Sequence, residues 1–532
     1  MFFVSIMRDS CTTRFAYEYP PLHAGLMCAL LCLTSGACSQ VIGLDDWQIV
    51  AADAGSASQC RYANECPQSA GNPMMCRQPD GSCIALRSSD CQTITGPQTD
   101  LDRAVVIGSL FSLAGTDGAS NSARQQSAEL AVEEVNAVGG IPTQSTADAA
   151  RPLIMVSCDA SADLLRAARH LVEDLGVPAI VGPNSSQDTL DLSQQLTIRA
   201  GTAVISPTAF TGSIADLADD DLTWQMVASD LQRAPITLYE LNSIETDLKQ
   251  QRALGTVKLG VVFQDNALGT GTVASLSELV INERPLSDVV NLGHNVRIDP
   301  FNAGATTAGA LVAAYAQFAP DIVLLAGAPD MVTELIIPLE NAWHADRPRP
   351  YYVLIDSLKA PALMDAVAGH DELRQRIRGT GVTPGPGSQP VYDAFRVSYE
   401  IRHPGSESGI AGMGPSYDAT YAIALALAGT TATTVTGHTL VDGLLQLSGG
   451  TTDLSLKQAN LLDAFGLLAK RQRINAIGTF GPLAWDTKGA VAGGTLEMWC
   501  ISSRAGTLAF DSSGLTLDLA SRTLHGTYAQ CP

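Results

Sequence analysis

The chain has 532 residues and a formal net charge of −22. A surface so acidic repels phosphate backbones, which excludes nucleic acid as a natural partner. Hydrophobic residues at 46% and charged residues at 16% describe a well-cored globular protein, long enough for an export segment, a small module and two sizeable lobes.

Arg8 and Arg14 precede the apolar run AGLMCALLCL (Ala24–Leu33). The run is too short to span a bilayer and suits the core of an export signal. TSGAC (Thr34–Cys38) follows, and its small residues resemble a bacterial lipobox, whose cysteine is lipidated and becomes the new N-terminus. Ser35 stands where that pattern takes Leu or Val, and plain cleavage with an incidental Cys38 is the alternative. No other run is apolar enough for a span, so membrane attachment is expected only through lipid on Cys38. Residues 1–38 thus read as signal, 39–59 as tether and 60–96 as a Cys-rich module.

Of twelve cysteines, Cys11, Cys28 and Cys32 leave with the signal. Beyond Cys38 there remain Cys60, Cys66, Cys76, Cys83, Cys91, Cys158, Cys500 and Cys531. An even number in an exported chain predicts disulfides. The module lacks a C-x-x-C pair and any His, so staples suit it better than zinc. Its five cysteines are odd in number, which makes Cys158 the natural partner for one of them and leaves Cys500 and Cys531 to clip the tail. Sequence alone does not fix this connectivity.

After TGPQTD, short apolar runs alternate with helical segments. AVVIGSL (Ala104–Leu110) reads as a buried strand, followed by a helix with Ala131, Val135 and Val138 on one face that stops at Gly139-Gly140. PLIMVS (152–157) is a strand, Leu164–Leu175 a helix ended by Gly176, PAIV a third strand and TAVIS (202–206) a fourth. The pattern repeats with strands VKLGVVF (257–263), DIVLLAG (321–327) and YYVLI (351–355), and helices ALVAAYAQF (310–318) and MVTELIIPLENAW (331–343) between them. Continuous apolar strands alternating with amphipathic helices predict an α/β protein with two doubly wound parallel-sheet lobes. In such sheets ligands bind beyond the carboxyl ends of the strands.

The stretches IGSLFSLAGTDGASNSARQQSAELAVEEVNAVGGI, LVEDLGVPAIVGPNSS, AVISPTAF, KLGVVFQDNALGTG, SYDATYAIALALA and GPLAWDTKGAVAGG, in this order from Ala104 to Cys500, resemble the type I periplasmic binding proteins. Within them the likeness is to the branched-chain amino-acid receptors of ABC transporters. The resemblance implies two lobes joined by three crossings, expected near Leu231–Pro235, Gly379–Pro386 and Phe480–Pro482. Lobe 1 would then hold about 104–232 and 386–480, and lobe 2 about 235–379 and 482–532. It also implies a solute held between the lobes, an ABC permease or a sensor protein as partner, no cofactor and no catalysis.

In that family the serine after the third strand and the residues after the fourth hold the ligand's carboxylate. Ser186 matches the serine, with Ser185 before it, and Thr208 matches a position that binds through its backbone. Hydroxyls and free N–H groups at a helix start favour an anion, and Ser186 also reads as the cap of a Gln187–Ala200 helix. Other positions depart from the family. Phe210 stands in place of a second threonine, Ser120 in place of the first-loop aromatic and Ala328 in place of a second-lobe tyrosine. The ammonium-accepting carboxylate falls at Ser357, with Asp356 beside it. Asp265, in FQDN, is a candidate lip residue. These departures widen the expected ligand from amino acids to amides and short carboxylates. GTGTVAS (269–275) lacks the third glycine of a dinucleotide loop, the eight histidines show no ligand spacing, and no G-x-S-x-G elbow occurs.

Overall fold

In the computed structural model the described residues are 59–532 apart from 70, 79, 144–149 and 431–433. The export signal, Cys38 and all but the last residue of the expected tether lie outside them.

The N-terminal module cannot bury a core of its own. It is a hairpin of β1 (Met74–Arg77) and β2 (Ser82–Ala85), stapled by Cys60–Cys76 and Cys66–Cys83. The expected boundary at residue 96 shifts. Thr93–Thr95 (β3) pairs antiparallel with β5 (Leu153–Asp159) at the edge of the lobe 1 sheet, and Cys91 is fully buried in a disulfide with Cys158. Residues 91–95 therefore belong to lobe 1, where the unpaired sheet edge takes them up. Ala63 and Leu86 pack into the same apolar cluster, which seats the module on that lobe.

Lobe 1 is a six-stranded sheet in the order β3-β5-β4-β6-β7-β8. Its parallel strands are β4 (Val105–Phe111), β5, β6 (Ala179–Val181), β7 (Ala203–Ser206) and β8 (Thr223–Gln225). One face packs on the Met413–Gly429 helix, every residue of which is buried. The Tyr417 and Tyr421 hydroxyls on that helix both donate to Glu134 Oε2, Tyr417 at 2.6 Å, so the buried carboxylate is paired.

Lobe 2 begins with β9 (Leu259–Gln264), a small hairpin of β10 (Val280–Ile281) and β11 (Arg284–Pro285), then β12 (Val296–Phe301), β13 (Ile322–Ala326), β14 (Tyr351–Leu354) and β15 (Ile377–Thr383). The chain then returns to lobe 1 for β16 (Asp453–Ser455) and β17 (Asn475–Ile477). It ends in lobe 2 with β18 (Thr495–Arg504), β19 (Thr507–Asp518) and β20 (Thr523–His525). The order is β12-β9-β13-β14-β15-β18-β19-β20. Only the first five strands are parallel; β18, β19 and β20 extend the sheet as an antiparallel meander, closed by Cys500–Cys531. The alternating apolar-polar pattern of β19 (Thr507–Asp518) is that of a half-buried strand.

The Asp230–Arg252 helix is the first crossing. Its start is held by a Ser229/Gln232 capping box, and its end reaches lobe 2 through Arg252–Asp321 at 3.2 Å. The second lies at 384–388, later than expected, because Gly379–Thr383 are part of β15. The third is displaced further. Beyond Phe480–Pro482 the chain stays on lobe 1, where the Trp485 indole N–H donates to Gln225 O at 2.9 Å and its ring meets Trp224 edge-on at 5.1 Å. It enters lobe 2 only at β18.

Asp418 of the buried helix anchors this last segment, accepting the Thr479 N–H and hydroxyl, each at 2.7 Å. Burial pushes its carboxyl up to about 7 from an ordinary 3.8, although the two Thr479 hydrogen bonds pull the other way. Between about pH 4 and pH 7 the unfolded chain has lost this proton and the folded protein keeps it, so stability contributed here falls as pH rises through that window. Asp418→Asn is expected to remove that slope, leaving melting temperatures that fall less than those of the wild type from about pH 4 to about pH 7. Identical slopes by circular dichroism would count against the assignment.

Candidate ligand-binding cleft

The carboxyl ends of both sets of parallel strands face one another, and between them lies a cavity of about 450 Å³. Lobe 1 contributes the loops after β4, β6 and β7, and lobe 2 those after β9, β13 and β14. Among the residues expected at a site, Ser185, Ser186, Thr208, Phe210, Ala328 and Asp356 line it.

The two serines have different tasks. Gly182 turns the chain out of β6 at φ +100, where a Cβ would sit 2.4 Å from Leu110 O, so glycine is required there. Ser185, not Ser186, is the helix cap, its Oγ accepting the Asp188 N–H at 3.2 Å. Ser186 is the first helical residue and 2% exposed. Its Oγ accepts the N–H groups of Phe210 at 3.1 Å and Thr211 at 3.3 Å. With both acceptor positions engaged, its proton is left to donate. Thr208 is the reverse: its hydroxyl already donates to Asn184 O at 2.8 Å, while its backbone N–H has no acceptor among the described residues. Ser186 O–H and Thr208 N–H are thus two donors on one wall.

Two expected residues do not reach the cavity. The helix after β4 starts at Gly118, and at helical spacing Asp117, Asn121 and Arg124 share its cavity face while Ser120 does not. Arg124 donates to Asp117 at 2.7 Å, Asn121 at 2.6 Å and Ala411 O at 2.8 Å, a satisfied polar cluster in place of an aromatic ring. Asp265 is exposed; its neighbours Gln264 and Asn266 line the cavity instead, as side-chain alternation at a strand end dictates. Gln264 Oε1 accepts the Ala328 N–H at 3.1 Å, which makes Ala328 part of the wall. Ser357 donates to Gly327 O at 2.6 Å and holds the loop after β14.

Arg233 is the principal residue that sequence reasoning missed. It sits in the first turn of the crossing helix and is 4% exposed in the cavity wall. It donates to Ala228 O and to Asp356 Oδ2, both at 2.8 Å, and lies 4.7 Å over the Phe210 ring. The legible signal was a cation at a helix N-terminus, where the macrodipole disfavours it. Asp188 also lines the cavity, its carboxyl raised by burial and by nearby Asp191.

No protein-family model matches the chain, and no curated protein matches it. Solved structures do. The branched-chain amino acid transporter substrate binding protein LivJ from Streptococcus pneumoniae, in complex with isoleucine, has a TM-score of 0.55 at 17% identity, over 77% of this chain and 99% of that one. The leucine binding protein LivK from Thermotoga maritima gives 0.55 at 15%, over 77% and 98%. A possible leucine/isoleucine/valine-binding protein from Rhodopirellula baltica gives 0.55 at 15%, over 78% and 98%. Identity at this level carries the architecture and not the ligand. Two lobes, three crossings and strand ends facing one cleft are the fold of the type I periplasmic binding proteins, and this chain has that fold.

Proposed function

We propose that the protein is an exported solute-binding receptor that closes its lobes on a small polar or carboxylate-bearing solute and delivers it to an ABC permease. Lipid on Cys38 would hold it at the membrane; among the described residues no helix is long and apolar enough to cross one. The observation that carries the reading is Ser186, a buried hydroxyl in the cavity wall with both acceptor positions filled and its proton unclaimed. With the Thr208 N–H it forms a cradle for a carboxylate or carbonyl oxygen. The solved structures of the same fold support it, since one holds isoleucine.

Closure is supported by contacts between the lobes. Ala267 of lobe 2 donates its N–H to Gln187 Oε1 of lobe 1 at 3.2 Å. Phe210 and Val227 pack against Ala326 and Ile355 of lobe 2. At Gly271 of lobe 2 a Cβ would lie 2.1 Å from Asp230 Oδ2 and 2.7 Å from Thr211 Oγ1, so a larger residue there would have to push those side chains aside. Burial raises the Asp230 carboxyl at this contact.

A second reading makes the protein a sensor whose closed form is passed to another protein. What favours it is the Cys-rich module, which packs on lobe 1 and donates from Arg77 to Glu173 O at 3.0 Å. Pull-down with the closed receptor distinguishes the two readings by whether a permease or a different protein is retained.

Calorimetry against amino acids, amides and short carboxylates tests the site. Ser186→Ala is expected to weaken the best binder by about ten- to a hundredfold, the worth of one hydrogen bond to a charged group. Unchanged affinity removes Ser186 from the site. Gly271→Ala is expected to keep the lobes ajar, giving a larger radius of gyration by small-angle scattering with ligand and roughly tenfold weaker binding. A variant that closes and binds like the wild type contradicts a role for this contact in closure.

A further inference from the structure

Charge on the cavity wall does not balance. The charged side chains that line it are Asp117, Arg124, Asp188, Arg233 and Asp356. Two ion pairs account for four of them: Arg124 with Asp117 at 2.7 Å and Arg233 with Asp356 at 2.8 Å. Asp188 is left without a counter-charge among the described residues. The ionised group that acts on it is Asp191, one turn further along the same helix, and that is a second carboxylate. Only the Ser185 hydroxyl, whose oxygen already accepts the Asp188 N–H, stabilises its charge.

The plainer account is an acid serving its helix start. The macrodipole does favour a carboxylate in a first turn, but it would do so with the side chain in open water. Asp188 is instead part-buried in the cavity wall, and burial together with Asp191 raises its carboxyl. An unpaired, partly desolvated charge is a cost that a purely structural acid need not bear. Neither of its oxygens is sealed off from solvent, so a partner can reach them.

The resemblance placed an ammonium acceptor at Ser357, with Asp356 beside it. Both are already engaged: Ser357 donates to Gly327 O at 2.6 Å, and Asp356 Oδ2 holds Arg233. Asp188 shares its wall with the unclaimed Ser186 proton. A donor for a carboxylate and an acceptor for a cation therefore stand together on lobe 1.

We propose that the solute carries a positive charge beside its carboxylate, and that Asp188 of lobe 1 is the residue that pairs with it. The inference rests on the reading of this cleft as a solute site, and it adds the solute's second charge and the residue that selects it.

The test is calorimetry on the intact protein with valerate and its α-, β-, γ- and δ-amino derivatives, and with homologues of each that are longer by single methylenes. Within a set only the amine and its position differ. The derivative of matching spacing is expected to bind about tenfold or more tighter than the plain acid, the worth of one hydrogen bond between charged groups. Asp188→Asn keeps the shape and removes the charge, and is expected to erase that difference. Asp188→Ala serves if the asparagine variant fails to fold, as judged by its ligand-free melting curve. A plain acid that binds as tightly as every amine overturns the assignment. So does an amine preference that survives Asp188→Asn, and its loss in Asp356→Asn alone returns the acceptor to lobe 2. In each of these cases Ser186-dependent binding leaves the receptor reading standing. Silence from every compound, with the protein folded, removes the solute site and this inference with it.

Discussion

A guanidinium taken out of water has to recover its charge balance and its hydrogen bonds inside the protein. Arg233 does so in part, leaving Nη2 without a partner among the described residues, by reaching three parts of the chain: the lobe 1 carbonyl of Ala228, the lobe 2 carboxylate of Asp356 and the face of Phe210. These contacts set the first turn of the crossing helix against both lobes. The position of the hinge end of the cavity follows from them, as does the placement of Phe210, whose N–H then meets Ser186. A buried pair of this kind contributes little net stability. Breaking it by removing one partner is costly, and that ties the geometry of the hinge to the geometry of the site.

Much of the fold is legible in the amino-acid sequence because parallel strands covered on both faces leave an unambiguous trace. AVVIGSL, PLIMVS and DIVLLAG are apolar but for one residue each, and they stand as β4, β5 and β13. β19 and β20 escape that reading, since these half-exposed antiparallel strands mix Thr, Asp and Ser with their apolar residues. The third crossing moves for a different reason: Trp485 finds its partners in lobe 1, and no local pattern announces which lobe a tryptophan will choose. In the cavity wall, Ser185, Ser186 and Thr208 were legible through the family resemblance, which aligned them with the residues after the third and fourth strands. Ser120 and Asp265 were misjudged by a single position each, the scale on which side-chain direction alternates. Arg233 was passed over because its surroundings are assembled from residues more than a hundred positions apart, as Asp356 shows.

The architecture of this molecule does not bring a recognition chemistry with it. Solved structures with 15 to 17% identity reproduce the lobes, while the positions that would mark an amino-acid receptor carry Phe210, Ser120 and Ala328. A cavity of about 450 Å³ lies between the lobes, with the Phe210 ring in its wall. The cavity wall mixes polar groups such as Asn121, Arg124 and Asp356 with Phe210, Val227 and Leu268.

The wholly buried Met413–Gly429 helix has a consequence for how the protein is made. Lobe 1 holds strands from Thr93 to Gln225, yet this helix fills its core from far downstream. During synthesis, the apolar face of that sheet waits while all of lobe 2's parallel strands emerge. Neither lobe is a segment that can be cut out and expressed, and lobe 1 assembles through contacts of long sequence separation, which slows folding and lengthens exposure to aggregation. Lobe 2 is in effect a guest inserted into an unfinished host, and the C-terminal return of the chain completes both.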